Sequence, residues 1–396
     1  MPAFFFFDKC LRRDPQRKIT VSVTVSDFSF FTRKRSVFLD KISILCYNIP
    51  VIFALEFAER NRFFVMLWFF LIFSTLCWGI AEIFYKKGSL EKEKYSHLKT
   101  TVFVGFLMGI YATVILFTQG IDLAAFPKNF LIYLPVSACY IVSMTCSYFG
   151  VRFIEESISD PIENSSGAVV PILCAIFMQE VIEIPSIVCI AVIAVGVICV
   201  GFFDKAGKRE RHHKYGKKLA IWAIAMPFCY MLLDAIGTFL DIYYTDDVET
   251  TLLVNVTEEN LEHTANCAYE FTFLLVAIGI FIFLKAKGEK LFSLGAAAPT
   301  ATENADGVVI KQTWYQKVLN QKWKILAAVF ETAGQATYLF ALSEGAGIAA
   351  VILGAGTVIT SLILARIFLK EKLSLTQYIF IGIIMIGIIS LALIEG

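Results

Sequence analysis

Two short stretches, Ala175-Ile176-Phe177-Met178-Gln179-Glu180 and Arg366-Ile367-Phe368-Leu369-Lys370-Glu371, share Ile, Phe and Glu at matching places. At the same offset Gly196 matches Gly387 and Ile198 matches Ile389. Each stretch closes an apolar run with Phe-x-x-Glu, turns, and leads into a second, glycine-bearing apolar run. One such unit in each half marks an internal duplication. With five membrane-crossing helices per copy, an odd number, the two copies must enter the membrane in opposite orientations. Inverted repeats are the usual architecture of secondary transporters, with the solute site at the repeat interface near the midplane.

The composition sets the solvent. Of 396 residues, 57% are hydrophobic and 17% charged, and the mean hydropathy is +0.69. A soluble domain carries roughly 45 to 50% apolar residues. The apolar residues fall into runs of about 20, the length a helix needs to cross a hydrocarbon core of about 30 Å. Such windows lie at 64–85, 101–120, 129–150, 162–180 and 186–203, then at 219–240, 268–285, 324–342, 347–369 and 375–394. Strand alternation is absent, and lipid-facing backbone must satisfy its own hydrogen bonds, which leaves helices. The fold predicted is therefore an all-α polytopic membrane protein, with ten transmembrane helices as two inverted five-helix repeats. Repeat 1 covers 64–203, a basic linker 204–218, and repeat 2 residues 219–394.

Charge is segregated between the loops. Lys86, Lys87, Lys92, Lys94 and Lys99 follow helix 1, and Lys205, Lys208, Arg209, Arg211, Lys214, Lys217 and Lys218 follow helix 5. Residues 241–266 instead hold Asp241, Asp246, Asp247, Glu249, Glu258, Glu259 and Glu262 with no Lys or Arg. The positive-inside rule puts every odd-numbered loop in the cytoplasm and both ends of the ten-helix core outside. Asn255-Val256-Thr257 in the acidic loop is a glycosylation sequon, consistent with an exoplasmic loop in a host that glycosylates. Residues 1–62 are basic and fit this topology poorly; they hold either an extra helix near 42–58 or a non-native start ahead of Met66. Most of the ten cysteines lie inside apolar runs and read as small buried hydrophobes, not as a disulfide framework.

Ionisable groups within a span cost roughly 2.5 to 3.5 kcal/mol on insertion scales, so they face a bundle interior or cavity far more often than lipid. Glu82, Asp234, Glu270 and Glu331 are such groups. Gln335 and Tyr338 follow Glu331 at i+4 and i+7, putting three polar groups on one helix face. Trp78, Glu82 and Tyr85 repeat that spacing in helix 1. A desolvated carboxylate beside aromatics suits a cationic or polar solute, or an exchangeable proton. The plainer reading leaves Glu82 and Glu270 at helix ends and Asp234 near the exoplasmic end of helix 6. Asn164-Ser165-Ser166-Gly167 opens helix 4 ahead of Pro171, which removes a backbone donor; it offers either coordinating groups or ordinary small-residue packing. Tyr140 lies on a moderately polar stripe of helix 3, with Ser137, Met144 and Ser147. The solute-binding candidates are Trp78, Glu82, Tyr140, Asn164, Ser166, Asp234, Glu331, Gln335 and Tyr338.

Three stretches resemble the EamA family of the drug/metabolite transporter superfamily: Trp78-Gly79 with its neighbours, the helix 4 to 5 unit ending in Glu180, and Leu353-Gly354-Ala355-Gly356-Thr357-Val358-Ile359 through Glu371 to Gly387. The likeness covers roughly 66–394. It implies a ten-helix basket moving metabolites, amino acids or drugs by exchange or by coupling to an ion gradient. Two features depart from the family: relatives are usually described with cytoplasmic termini, and the 241–266 loop is long.

No HExxH, P-loop or Gly-x-Ser-x-Gly elbow argues for the rival reading, an intramembrane enzyme. Duplication argues against the other rival, a receptor or non-transporting permease subunit. The reading is a secondary transporter working by alternating access, multi-pass in a bacterial-type plasma membrane. Its expected partners are a small-molecule solute, the bilayer, a coupling proton or sodium ion, and a second copy in a homodimer. No nucleic acid, metal or cofactor is expected.

Overall fold

The computed structural model describes residues 69–90, 93–179, 182–203, 216–245, 248–293, 301–303, 309–311, 313–344 and 356–395. The N-terminal extension, nearly all of the 204–218 linker and the small-residue seam of Gly347, Ala350 and Gly354 lie outside those residues.

Among the described residues, five helices are long and apolar enough to cross a bilayer: α1 (Phe69–Gly88), α2 (Ser96–Thr118), α3 (Phe126–Gly150), α7 (Lys217–Thr245) and α8 (Leu261–Ala286). Between α3 and α7 come α4 (Glu156–Glu163), a 3-10 turn (Asn164–Ala168), α5 (Val170–Phe177) and α6 (Ile184–Phe203). After α8 lie two three-residue strands, β1 (Ala301–Glu303) and β2 (Val309–Lys311), paired antiparallel with Thr302 opposite Ile310. The chain then forms α9 (Trp314–Asn320), α10 (Lys322–Glu344), α11 (Gly356–Leu369) and α12 (Leu375–Glu395). The outer surface inverts that of a soluble domain: Ile110, Phe117, Leu131, Ile176, Ile282 and Ile386 are each at least 61% exposed. Only a hydrocarbon solvent accepts such a belt. The protein is an integral membrane protein.

Where ten unbroken spans were expected, the fourth is broken. It starts at Glu156, earlier than 162, and changes to a 3-10 turn at Asn164. Pro161 and Pro171 withdraw backbone donors there. Asn164 Nδ2 bonds the Asp160 carbonyl at 3.0 Å beside its own backbone N–H, and Ser165 Oγ bonds the Pro161 carbonyl at 2.7 Å, so side chains add to the bonding of these carbonyls where the helix breaks. The acidic loop is also shorter than 241–266. α7 continues to Thr245 and α8 begins at Leu261, so Asp241 is a helical, buried residue whose carboxylate accepts a hydrogen bond from Tyr133.

Helix pairing follows the glycines. α2 packs along α8, α3 along α7 and α8, α10 along α2, and α6 along α12. A Cβ at Gly196 would sit 2.6 Å from Ile384 Cγ1, and one at Gly387 would sit 2.6 Å from Ile193 Cγ1. Residue numbers rise on α6 as they fall on α12, so these helices run antiparallel and each lends the other a glycine notch. The same close approach seats the Trp78 indole of α1 on Gly334 of α10, where a Cβ would meet the ring at 2.6 Å.

Candidate functional site

The i, i+4, i+7 faces of α1 and α10 meet inside the bundle. Trp78 and Tyr338 meet as tilted rings with centroids 5.3 Å apart. Two turns along, Tyr85 donates to Glu331 Oε2 at 3.0 Å, and Tyr148 of α3 donates to the Tyr85 hydroxyl at 3.1 Å. This row of hydroxyls ends on a carboxylate that is 2% exposed. Gln335, between them on α10, turns its amide to Asn266 of α8, with Nε2 2.7 Å from Oδ1. Glu82 is 6% exposed and Glu270 fully buried, so both carboxyls are enclosed by the bundle. Among the described residues, Trp78 Nε1 and Glu82 Oε2 have no hydrogen-bond partner.

The broken fourth span faces this row. Asn164 Nδ2 donates to Asp160 Oδ1 at 2.7 Å, Ser159 Oγ to Glu163 Oε1 at 2.7 Å, and Ser166 Oγ to Asp234 Oδ2 at 2.7 Å. Ser361 of α11 donates to Asp160 from the other side. Asp234 lies in the interior of α7, which extends five residues beyond its expected end at 240. Glu156, Asp160, Glu163 and Glu331 are all within Coulombic reach of Glu82. Tyr140 stands apart from this group, bonded to Thr238 Oγ1 of α7 at 3.2 Å and edge-on to Tyr269. Among the described residues no three His, Cys, Asp or Glu side chains are grouped to hold a metal ion.

Sequence reasoning missed Glu156 and Asp160, which it left in a connection, and Glu163, which lay just inside the expected 162–180 window. Their i, i+4, i+7 spacing was the available signal, masked by Pro161 and by the low apolarity of the stretch. It also missed the closures at the two ends. At the odd-loop end, Glu93 bridges two buried lysines, with Oε1 2.6 Å from Lys99 Nζ and Oε2 2.8 Å from Lys324 Nζ. Lys99 also reaches the Ser293 carbonyl at 2.7 Å and Lys324 the Gln321 Oε1 at 2.8 Å. Burial alone would raise the Glu93 carboxyl, but Lys324 and Lys99 outweigh it and hold the group below the usual range. Beside it, Lys86 donates to the carbonyls of Val151 and Ile154, and Arg152 to those of Glu93 and Lys94.

The Phe-x-x-Glu ends have a structural role. Gln179 and Lys370, the residues just before each glutamate, both adopt left-handed backbone, with φ of 60° and 58°. That turn carries Glu371 to the start of α4, where its carboxylate accepts the N–H groups of Glu156 at 3.0 Å and Ser157 at 2.9 Å. A carboxylate at a helix N-terminus satisfies orphan donors and opposes the helix dipole. At the even-loop end the closure is lighter. Asn129 pairs with the backbone of Val254 on both its amide atoms, Asn255 reaches Asp122, and Asn260 reaches the Gly120 carbonyl. The Asn255 bond and two backbone N–H groups keep the exposed Asp122 carboxyl below its ordinary value.

Residues 250–393 match the EamA-like transporter family, which belongs to the drug/metabolite transporter superfamily. The match runs from within the acidic loop into α12. No curated protein matches the sequence.

Proposed function

We propose that this chain, EamA-like over its second half, is a secondary transporter that moves a small metabolite, amino acid or drug-like solute by alternating access between two inverted five-helix repeats. The observation that carries the reading is the exchange symmetry of the packing. Gly196 and Ile193 of α6 stand at the same offset from Gly387 and Ile384 of α12, and each glycine receives the other helix's isoleucine. Reciprocal contact between equivalent residues on antiparallel helices is what a two-fold axis lying in the membrane plane requires. The left-handed turns at Gln179 and Lys370 fall at that offset too. The pairing of α3 with α7 has its counterpart in α10 with α1, and that of α3 with α8 in α10 with α2.

Between the halves lies the buried polar row of Trp78, Glu82, Tyr85, Glu331 and Tyr338. A polar interior near mid-span is costly to maintain without a solute to serve. In this reading Trp78 and Tyr338 offer the stacking wall, and Glu331, Asp234 and the Asn164–Ser166 turn the polar contacts. Charge segregation supports odd-numbered loops in the cytoplasm.

The test is flux of a solute panel into proteoliposomes of the purified full chain. Saturable uptake with counterflow supports a carrier. Flux that neither saturates nor shows counterflow, or chemical conversion of the solute, removes the reading.

A further inference from the structure

Among the described residues, every contact of a cation with an aromatic ring lies at the odd-loop end of the bundle, where Lys87, Lys94, Arg152, Lys287 and Lys322 each sit over a ring. The opposite end exposes Glu249, Glu258 and Glu259 instead. One of these contacts is shared. Lys87 of α1 and Lys322 of α10 place their ammonium groups over the same Trp323 indole, at 4.8 and 4.9 Å from the ring centroid. Lys87 also lies 5.2 Å from the Phe368 ring of α11. The ends of three apolar helices thus bring two cations to one indole.

The indole is held in place from within the bundle. Phe84 of α1 stacks on Trp323 with centroids 5.4 Å apart and packs in turn against Phe330 of α10. Gly88 closes the end of α1 onto the start of α10, where a Cβ would sit 2.9 Å from Lys324 Cγ. Nearby charge is matched, since Lys99 and Lys324 share Glu93. Lys87 and Lys322 differ: among the described residues neither ammonium forms an ion pair or a hydrogen bond, and the rings are what they touch. The shared ring keeps the two charges within about 10 Å of each other, a Debye length at 0.1 M salt. They repel, and a ring face answers an exposed ammonium only weakly. The place lacks an anion.

Its surroundings select the kind of anion. Phe368 is 57% exposed, and Ile367 and Ile363 on the same helix are 60% and 53% exposed, an apolar flank that meets acyl chains in a membrane. A small soluble anion would reach the ammonium groups alone. A phospholipid would answer the lysines with its phosphate and the flank with its chains. A zwitterionic headgroup would bring a cation of its own to ring faces that the lysines already occupy. Basic positions between membrane helices suit anionic headgroups for these reasons.

We infer that Lys87, Lys322 and Trp323 form a binding site for an anionic phospholipid, its phosphate between the two ammonium groups and its chains along the exposed side of α11. The site depends on the membrane setting and not on what the protein carries.

Thermal unfolding of the purified full chain in a neutral detergent tests it. The additions are phosphatidylglycerol, phosphatidylcholine with the same acyl chains, glycerol 1-phosphate, and sodium chloride matched for ionic strength. Phosphatidylglycerol should raise the midpoint saturably, and the other three should raise it by less than about half as much. Lys87→Gln combined with Lys322→Gln should weaken the apparent affinity for phosphatidylglycerol about ten-fold, equivalent to about 1.4 kcal/mol. Lys285→Gln combined with Lys290→Gln removes the same charge from exposed positions at the same end and should leave that affinity nearly unchanged. Trp323→Leu, which alters no charge, should weaken it several-fold. No shift from phosphatidylglycerol, or an equal one from phosphatidylcholine or salt, overturns the inference. An equal shift from glycerol 1-phosphate would assign the two lysines to a soluble anion and remove the lipid site. Equal losses in the two double variants would reduce the effect to net charge, and an affinity unchanged by the Lys87 and Lys322 pair or by Trp323→Leu would place the lipid elsewhere; either result overturns the site.

Discussion

Replacing Glu93 by Gln tests whether the odd-loop end is held shut by charge. Glu93 is 2% exposed and answers two ammonium groups, both almost fully buried, at 2.6 and 2.8 Å. Removing one partner of a buried pair costs about 3 to 5 kcal/mol, mostly because the remaining charge is stranded. Here the stranded lysines keep other acceptors: Lys99 the Ser293 carbonyl and, at 3.9 Å, Glu289, and Lys324 the Gln321 side chain. The loss should accordingly fall near the lower bound, about 3 kcal/mol. The pH dependence has a definite sign. The folded-state carboxyl is held below its unfolded value, so its contribution is complete above the unfolded carboxylate range and is lost as pH falls through the lowered value. In thermal unfolding of the purified protein, Glu93→Gln should lower the midpoint at neutral pH and converge with the parent in acid. Adding Lys324→Met, which withdraws one of the stranded charges, should recover part of the loss. An unchanged midpoint at neutral pH, or a deficit that persists undiminished in acid, would refute the assignment.

Other perturbations read other parts of the molecule. Glu331→Gln should reduce flux on the order of ten-fold, equivalent to about 1.4 kcal/mol, with the unfolding midpoint retained; unchanged kinetics would remove Glu331 from the solute path. Gly196→Val places a side chain where a Cβ already lies 2.6 Å from Ile384. It should destabilise by about 1 to 3 kcal/mol, and Ile384→Ala in the same chain should restore much of it; failure of that rescue would contradict the α6–α12 contact. Asn255→Cys, on the exposed end of the acidic loop, should react with a membrane-impermeant thiol reagent from outside intact cells. Reaction from the cytoplasmic side alone would invert the orientation proposed from loop charge.

The parts of the fold that were legible in the sequence depend on solvent and period. Apolar runs marked α1, α2, α3, α7 and α8, and the acids inside apolar windows, Glu82, Asp234, Glu270 and Glu331, are buried side chains. The Trp78 and Glu331 rows were visible as faces because i, i+4, i+7 spacing is local. Their partners were not. Gln335 meets Asn266 across 69 residues and Lys324 meets Glu93 across 231, and no local pattern encodes a pairing of that separation. Glu156 and Asp160 escaped for another reason. Polarity and Pro161 read as a connection, whereas the surrounding helices supply enough burial to hold a short polar helix inside the bundle. The expected ends of α7 and α8 erred in the same direction, since Asp241 counts as a loop residue until Tyr133 is known to bond it.

On the carrier reading proposed above, the reciprocal notch between Gly196 and Ile384, and between Gly387 and Ile193, divides movement unequally. A contact lying on the axis that relates two halves is carried onto itself when those halves trade conformations. The α6–α12 seam would then be a still centre about which the rest of the protein turns, while ties remote from it, such as Glu93 with Lys324, must break and re-form on each cycle. A covalent staple across the seam would leave turnover intact, and the same staple between positions 93 and 324 would stop it.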